Sequence, residues 1–153
     1  MPKPHIQKCL LDIDRDRLFQ ALTDLKRWPA WDDDIQAVDC DTPVRAGARF
    51  TIRLKDGSAV ALAVEAVEAP RLFIDQARLP LARMLSRHDL LPAEGGRTLL
   101  RHVIETSGPL AWLWDRLVAR KIVEGLPRQA ERMAEYARGL PPAPEGSTRR
   151  QHL

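Results

Sequence analysis

Two histidines, His88 and His102, are the side chains that spacing best places for chemistry. They lie in two segments, 83–91 and 97–106, in which apolar and polar residues alternate on either side of Glu94-Gly95-Gly96. If these pair as an antiparallel hairpin about that turn, His88 falls opposite His102, Leu90 opposite Leu100 and Ser86 opposite Ile104, all on one face. Asp89 then meets Arg101 on the other face, with Arg87 and Glu105 diagonal, a charge-complementary and solvated surface. Two imidazoles on an apolar wall could orient a carbonyl or a phenol, and one could act as a general base near neutral pH. The plainer alternative is that they bond each other or water and fill space. A zinc site needs a third ligand at recognisable spacing, and none is present. Lys121, near the centre of an apolar helical stripe, could pair with an acidic ligand group or reach past the sheet edge to solvent. No G-x-S-x-G, phosphate loop or dinucleotide fingerprint occurs, no Ser-His-Asp set assembles from spacing, and no nucleophile can be named. No metal or cofactor is expected.

The elements that must hold these residues follow from periodicity. Residues 5–13 read as a strand. Asp14 is a good N-cap, and Leu18, Phe19, Leu22 and Leu25 follow at helical spacing, which predicts a helix ending near Trp28-Pro29 and one more short turn at 30–34. From Ile35 to Ser107 apolar and polar residues alternate between turn signals. This predicts six further strands, near 35–41, 47–55, 59–68, 71–79, 83–91 and 97–106. Matching faces predict Leu54 opposite Val60 and Ile52 opposite Leu62, with a loop at Asp56-Gly57-Ser58 longer than two residues. Leu110, Leu113, Trp114, Leu117, Val118, Ile122, Leu126, Met133 and Ala137 form one helical stripe, with Pro127 expected to kink it. Gly139, Pro141 and Pro142 end it. The chain then divides into a domain at 1–139 and a Pro/Gly/Ser/Arg tail at 140–153 expected to be disordered.

Composition excludes several function classes. The chain has 153 residues with 24 Lys and Arg against 21 Asp and Glu, a net charge of only +3. The basic residues are interleaved with acids, so no nucleic-acid face is expected. Asp32-Asp33-Asp34 and Arg149-Arg150 read as solvated ends. No apolar run is long enough to insert in a membrane, and no secretory h-region opens the chain. Two cysteines, Cys9 and Cys40, are too few for a disulfide framework. They read as buried small residues in a cytoplasmic protein. Four of the eight aromatic residues are Trp, placed at Trp28 and Trp31 and at Trp112 and Trp114. The second pair lies about 200° apart around a helix, so Trp114 is expected inward and Trp112 toward a neighbour or partner.

Strand, short helices, antiparallel meander and one long helix make an α+β order in which only the last helix can cover the sheet. It resembles the helix-grip fold of the START/birch-pollen-allergen (SRPBCC) superfamily, closest to its polyketide cyclase/dehydrase-like branch. LTDLKRWPAWDDDI (22–35), LPAEGGRTLLRH (91–102) and the closing SGPLAWLWDRLVARKIVEGLPRQAERMAEYAR (107–138) carry the resemblance. It implies a seven-stranded curved antiparallel sheet wrapped around one long C-terminal helix, with two short helices after the first strand. It also implies a deep cavity between sheet and helix, closed by a lid that includes Trp28 and Trp31. Phe50, Ile52, Leu54, Val60, Leu62 and Met84 would line it from the sheet with Ile104, and Leu113, Trp114, Leu117 and Lys121 from the helix. His88 and His102 would supply its polar contacts. The implied function is binding of a small hydrophobic ligand, whether aromatic, polyketide-like or lipid. The rivals are a cyclase or dehydratase using a pocket histidine, and an interaction module, in its mildest form a homodimer built on the long helix.

Overall fold

The computed structural model describes residues 2–40 and 42–142; most of the expected tail, and Arg149-Arg150, lie outside the described residues. Seven strands, β1 (His5–Leu11), β2 (Ile35–Asp39), β3 (Arg49–Leu54), β4 (Ala59–Glu68), β5 (Leu72–Leu79), β6 (Ala82–Pro92) and β7 (Thr98–Ser107), form one antiparallel sheet in the order β1-β7-β6-β5-β4-β3-β2. The meander therefore runs from β2 to β7, and β1 closes against β7. Helix α1 (Arg15–Thr23) and a 3₁₀ helix (Leu25–Ala30) separate β1 from β2. The closing helix comprises α2 (Ala111–Trp114), a π-turn (Asp115–Ala119) and α3 (Arg120–Arg138).

Local chemistry sets the ends. The Asp14 carboxylate caps α1 by accepting from the Arg17 N–H at 3.0 Å. The helix ends sooner than the spacing of Leu25 predicts. The Thr23 hydroxyl donates back to the Phe19 carbonyl at 2.8 Å and Asp24 leaves helical geometry, so Trp28 and Pro29 fall in the 3₁₀ helix. Gly108 has φ +107, and a Cβ there would stand 2.9 Å from the Leu81 carbonyl oxygen; only glycine lets β7 pass the β5–β6 turn before the closing helix starts.

The β6–β7 register is the predicted one: His88 faces His102, Leu90 faces Leu100, Ser86 faces Ile104, and Asp89 faces Arg101. The β3–β4 register differs by two residues: Ile52 faces Val60 and Phe50 faces Leu62. The loop is three residues long, closed by the Leu54 N–H on the Ser58 carbonyl at 2.9 Å, with Gly57 at φ +92. A shift of two keeps every side chain on its expected face.

The closing helix corrects the expected stripe. Its second half buries Leu126, Ala130, Met133, Ala134 and Ala137 against the sheet and α1. Its first half buries Ala111, Asp115 and Ala119 instead of Leu113, Trp114 and Leu117. The π-turn changes the residues per turn, and buried Asp115 draws its own face inward by accepting from His5 Nε2 (2.7 Å) and from Thr106 Oγ1 (3.4 Å). Helix α3 continues through Pro127. The acidic run does not simply face solvent. Asp32 accepts from Gln129 at 2.6 Å, and Asp33 pairs with Arg132, so the loop before β2 grips α3.

Candidate functional site

Strand alternation and the two registers around β6 bring one polar patch together on the sheet face beneath the closing helix. Along one row Gln7 faces His102, His102 faces His88, and His88 faces Phe73. Along the next, Ile104 faces Ser86, Ser86 faces Asp75, and Asp75 faces Val64. Five polar side chains from four strands thus share an otherwise apolar surface. His88, His102 and Asp75 are all buried.

The two imidazoles stack with ring centroids 4.0 Å apart and planes inclined at 37°. His88 Nδ1 lies 3.1 Å from the Phe73 carbonyl oxygen. A carbonyl only accepts, so Nδ1 carries the proton and donates. Burial pushes the His88 pKa down to about 4, against the smaller opposing effects of that bond and the Asp89 charge. Neutral His88 therefore presents a bare Nε2. Burial, then the neighbouring His88, holds His102 well below the usual histidine range. Its Nε2 lies 2.5 Å from Ser86 Oγ. Burial raises the Asp75 carboxyl to about 7, so near neutrality it exists partly as the neutral acid.

A small cavity borders this patch. Its volume is about 20 Å³, and Trp31, His88, His102, Gln7, Gln129 and Met133 are among its lining residues. That is room for about one water-sized group, not the deep cavity expected. Trp31 is 5% exposed, and its indole Nε1 is the one buried side-chain N or O without a hydrogen-bond partner among the described residues. Trp28 and Trp31 are core residues rather than a lid. Their rings lie 6.0 Å apart, Trp28 meets Phe50 edge-on at 5.7 Å, and the Trp28 N–H donates to the Leu22 carbonyl.

Of the residues expected to line a cavity, Trp31, His88 and His102 border this one. Phe50, Ile52, Leu54 and Leu62 pack in the larger apolar cluster with Trp28, while Met84, Ile104 and Val60 pack in a second one. Leu113 and Trp114 are half-buried, and Trp114 donates to the Pro80 carbonyl at 2.8 Å. Leu117 (51% exposed) and Lys121 face solvent, as does Trp112 at 59%. Asp75, Gln7 and Ser86 were not among the sequence candidates. Asp75 had a signal: in Phe73-Ile74-Asp75-Gln76-Ala77 it shares the parity of Phe73 and Ala77. Among the described residues no three His, Cys, Asp or Glu side chains gather to hold a metal ion, and no helix is long and apolar enough to cross a membrane.

The fold has solved counterparts. Ara h 8.0201 superposes with a TM-score of 0.73 at 13% identity, over 90% of this chain and 99% of that one. The chain shares with it a helix-grip fold, a seven-stranded antiparallel sheet with a long closing helix. The protein MLL2253 from Mesorhizobium loti matches at 0.72 and 21% identity, over 91% of this chain and all of the other. Norcoclaurine synthase from Thalictrum flavum, solved in complex with dopamine and hydroxybenzaldehyde, matches at 0.71 and 11%, over 92% of this chain and 89% of its own. No protein-family model matches the chain, and no curated protein matches it in sequence. The helix-grip likeness is one of architecture. The Asp75, Ser86, His88 and His102 patch is read from this chain alone.

Proposed function

We propose that this helix-grip chain binds a small hydrophobic ligand between the sheet and the closing helix, with its polar end against His88 and His102. The observation that carries the reading is the buried polar patch itself. Burying imidazoles and a carboxyl costs stability that an apolar face would not, and a small cavity opens where the patch meets Trp31. Polar groups converging on an apolar wall are what an orienting pocket requires. Met133 and Leu126 line the same cavity, and a flexible methionine can yield to the ligand body. An aromatic, polyketide-like or lipid molecule suits these walls; the complex of norcoclaurine synthase with dopamine and hydroxybenzaldehyde supports the aromatic choice by fold analogy. The test is native mass spectrometry of the purified protein with a Nile red titration. A co-purified ligand or saturable probe binding is expected, and neither appearing sinks the reading.

A second reading is an enzyme of cyclase or dehydratase type. Ser86 Oγ against His102 Nε2 at 2.5 Å favours it, because neutral His102 can take a proton and Asp75 lies one strand beyond Ser86. Turnover of an aromatic polyketide substrate by His88→Ala and His102→Ala decides between them. Rates equal to wild type in both variants leave binding alone.

A further inference from the structure

We infer that the tip of the molecule, where the β5–β6 turn meets the start of the closing helix, docks on a bilayer surface that carries anionic lipid. The inference goes beyond ligand binding and stands on residues outside the polar patch.

The π-turn leaves an apolar face without a partner. Ala111, Asp115 and Ala119 take the side toward the sheet, so Trp112 and Leu117 stand exposed and Leu113 and Trp114 half-buried. Beside them the β5–β6 turn raises Leu81, 66% exposed at φ +55. The left-handed region is unfavourable for a bulky residue, and here that position carries a large apolar side chain into water. Two bonds join these parts into one surface. The Leu110 N–H donates to the Leu81 carbonyl at 3.0 Å, and the Trp114 indole N–H donates to the Pro80 carbonyl at 2.8 Å. A single exposed leucine needs no explanation, but Leu81, Trp112 and Leu117 gathered at one end of the molecule do.

Charge selects the occupant. Residues 78–83 and 108–121 hold Arg78, Arg83, Arg116, Arg120 and Lys121, all exposed, against one acid, Asp115, which is buried. Arg78 and Arg83 face each other across β5 and β6, one pair back from the turn. Like charges opposed in a sheet repel, and an anion over them removes that cost. The next acid on that face, Glu105, lies opposite Leu85, two residues further from the turn. A second copy docking through the same tip would set these cations against their own images. A partner helix would need a groove, where Leu81 instead stands up as an apex. An anionic bilayer suits both features. Trp and Leu side chains enter its interface while Arg and Lys stay among the phosphates. Such docking needs no spanning helix.

The test is flotation of the full chain with vesicles of phosphatidylcholine alone and of phosphatidylcholine with about one-third phosphatidylglycerol. Binding to the anionic vesicles is expected to be about tenfold tighter or more and to fall as salt rises. Leu81→Gly with Trp112→Ala should weaken it about tenfold or more. Both side chains are exposed and glycine suits φ +55, so the thermal midpoint should change little. Arg78→Gln with Arg83→Gln should weaken anionic binding about tenfold or more as well. Lipid brominated in its acyl chains should quench tryptophan emission, and Trp112→Phe should keep most of the binding and lose most of the quenching. Equal binding of wild type and the Leu81→Gly, Trp112→Ala variant overturns the assignment to the tip. Equal binding to both vesicle types overturns the anionic requirement. Binding to neither overturns the proposal, and a dimer in light scattering that Trp112→Ala dissociates would then give the tip to a second copy. None of these readouts involves the polar patch, so ligand binding there stands or falls separately.

Discussion

Two regions of the same sheet face do opposite work. Around Phe50, Trp28 and Trp31, with Leu22, Met133 and Ala134 above, the face is apolar and aromatic rings meet at 5.7 and 6.0 Å. A few residues away, Asp75, Ser86, His88 and His102 bring buried titratable groups under the same helix. The first region stabilises the sheet–helix interface through removal of apolar area from water. The second draws on that stability. The difference teaches that the fold is secured at one end of the face, leaving the other free to carry buried titratable groups. Phe50→Ala breaks the first region and should lose about 3–5 kcal/mol of unfolding free energy. Urea unfolding at pH 5 and pH 8 should give the same loss. A loss under about 1 kcal/mol, or one that changes strongly with pH, would mean that the aromatic cluster is not the anchor.

The polar region should show the reverse signature, an effect that depends on pH. Native Asp75 keeps its proton up to about pH 7, while the unfolded carboxyl releases it near 3.8. Between those values the native state holds the extra proton. Stability from this group is complete below 3.8 and is lost as pH rises through 7, by on the order of 4 kcal/mol. His88 runs the other way. Its native value of about 4 lies below the ordinary 6.5, so its term is complete above 6.5 and is lost as pH falls toward 4, by on the order of 3 kcal/mol. His102 has the same sign as His88. Asp75 thus offsets one of two histidines across this window. Asp75→Asn should leave stability unchanged near pH 3.5, raise it by up to about 4 kcal/mol at pH 8, and steepen its rise between pH 4.5 and 6 by roughly one proton. A variant less stable than wild type at pH 8 would show that Asp75 is held by a partner as a carboxylate.

The strand half of this patch was legible in sequence because a strand has a period of two and a hairpin is pinned by its turn. Gly95 and Gly96, both at φ +72, fix the β6–β7 register, and from it follow the His88–His102 stack and the Asp89–Arg101 pair, joined at 3.4 Å and part-buried rather than solvated. The same logic missed the β3–β4 register by two residues, since a three-residue loop and a longer one keep the same faces. Asp75 escaped because its strand was read for apolar alternation alone. The first half of the closing helix was not legible. A π-turn breaks the period, and the partners that turn Asp115 inward, His5 and Thr106, come from strands distant in sequence. The cavity volume was not legible either, because it depends on how Met133, Leu126 and Trp31 pack rather than on their types.

The smallest expected effect sharpens where the helix begins to cover the polar region. An unbroken 3.6-residue stripe would press Leu117 onto the sheet, and its truncation would then cost about 2–5 kcal/mol. The π-turn instead gives that face to Ala111, Asp115 and Ala119, and Leu117 stands 51% exposed. Leu117→Ala should therefore change stability by no more than about 0.5 kcal/mol, and equally at pH 5 and pH 8. A cost above about 2 kcal/mol would mean that the first half of the helix is turned by its leucines. Asp115 would then no longer be the group that sets its face, and the distinction between an apolar anchor and a polar floor would have to be redrawn along the helix as well as across the sheet.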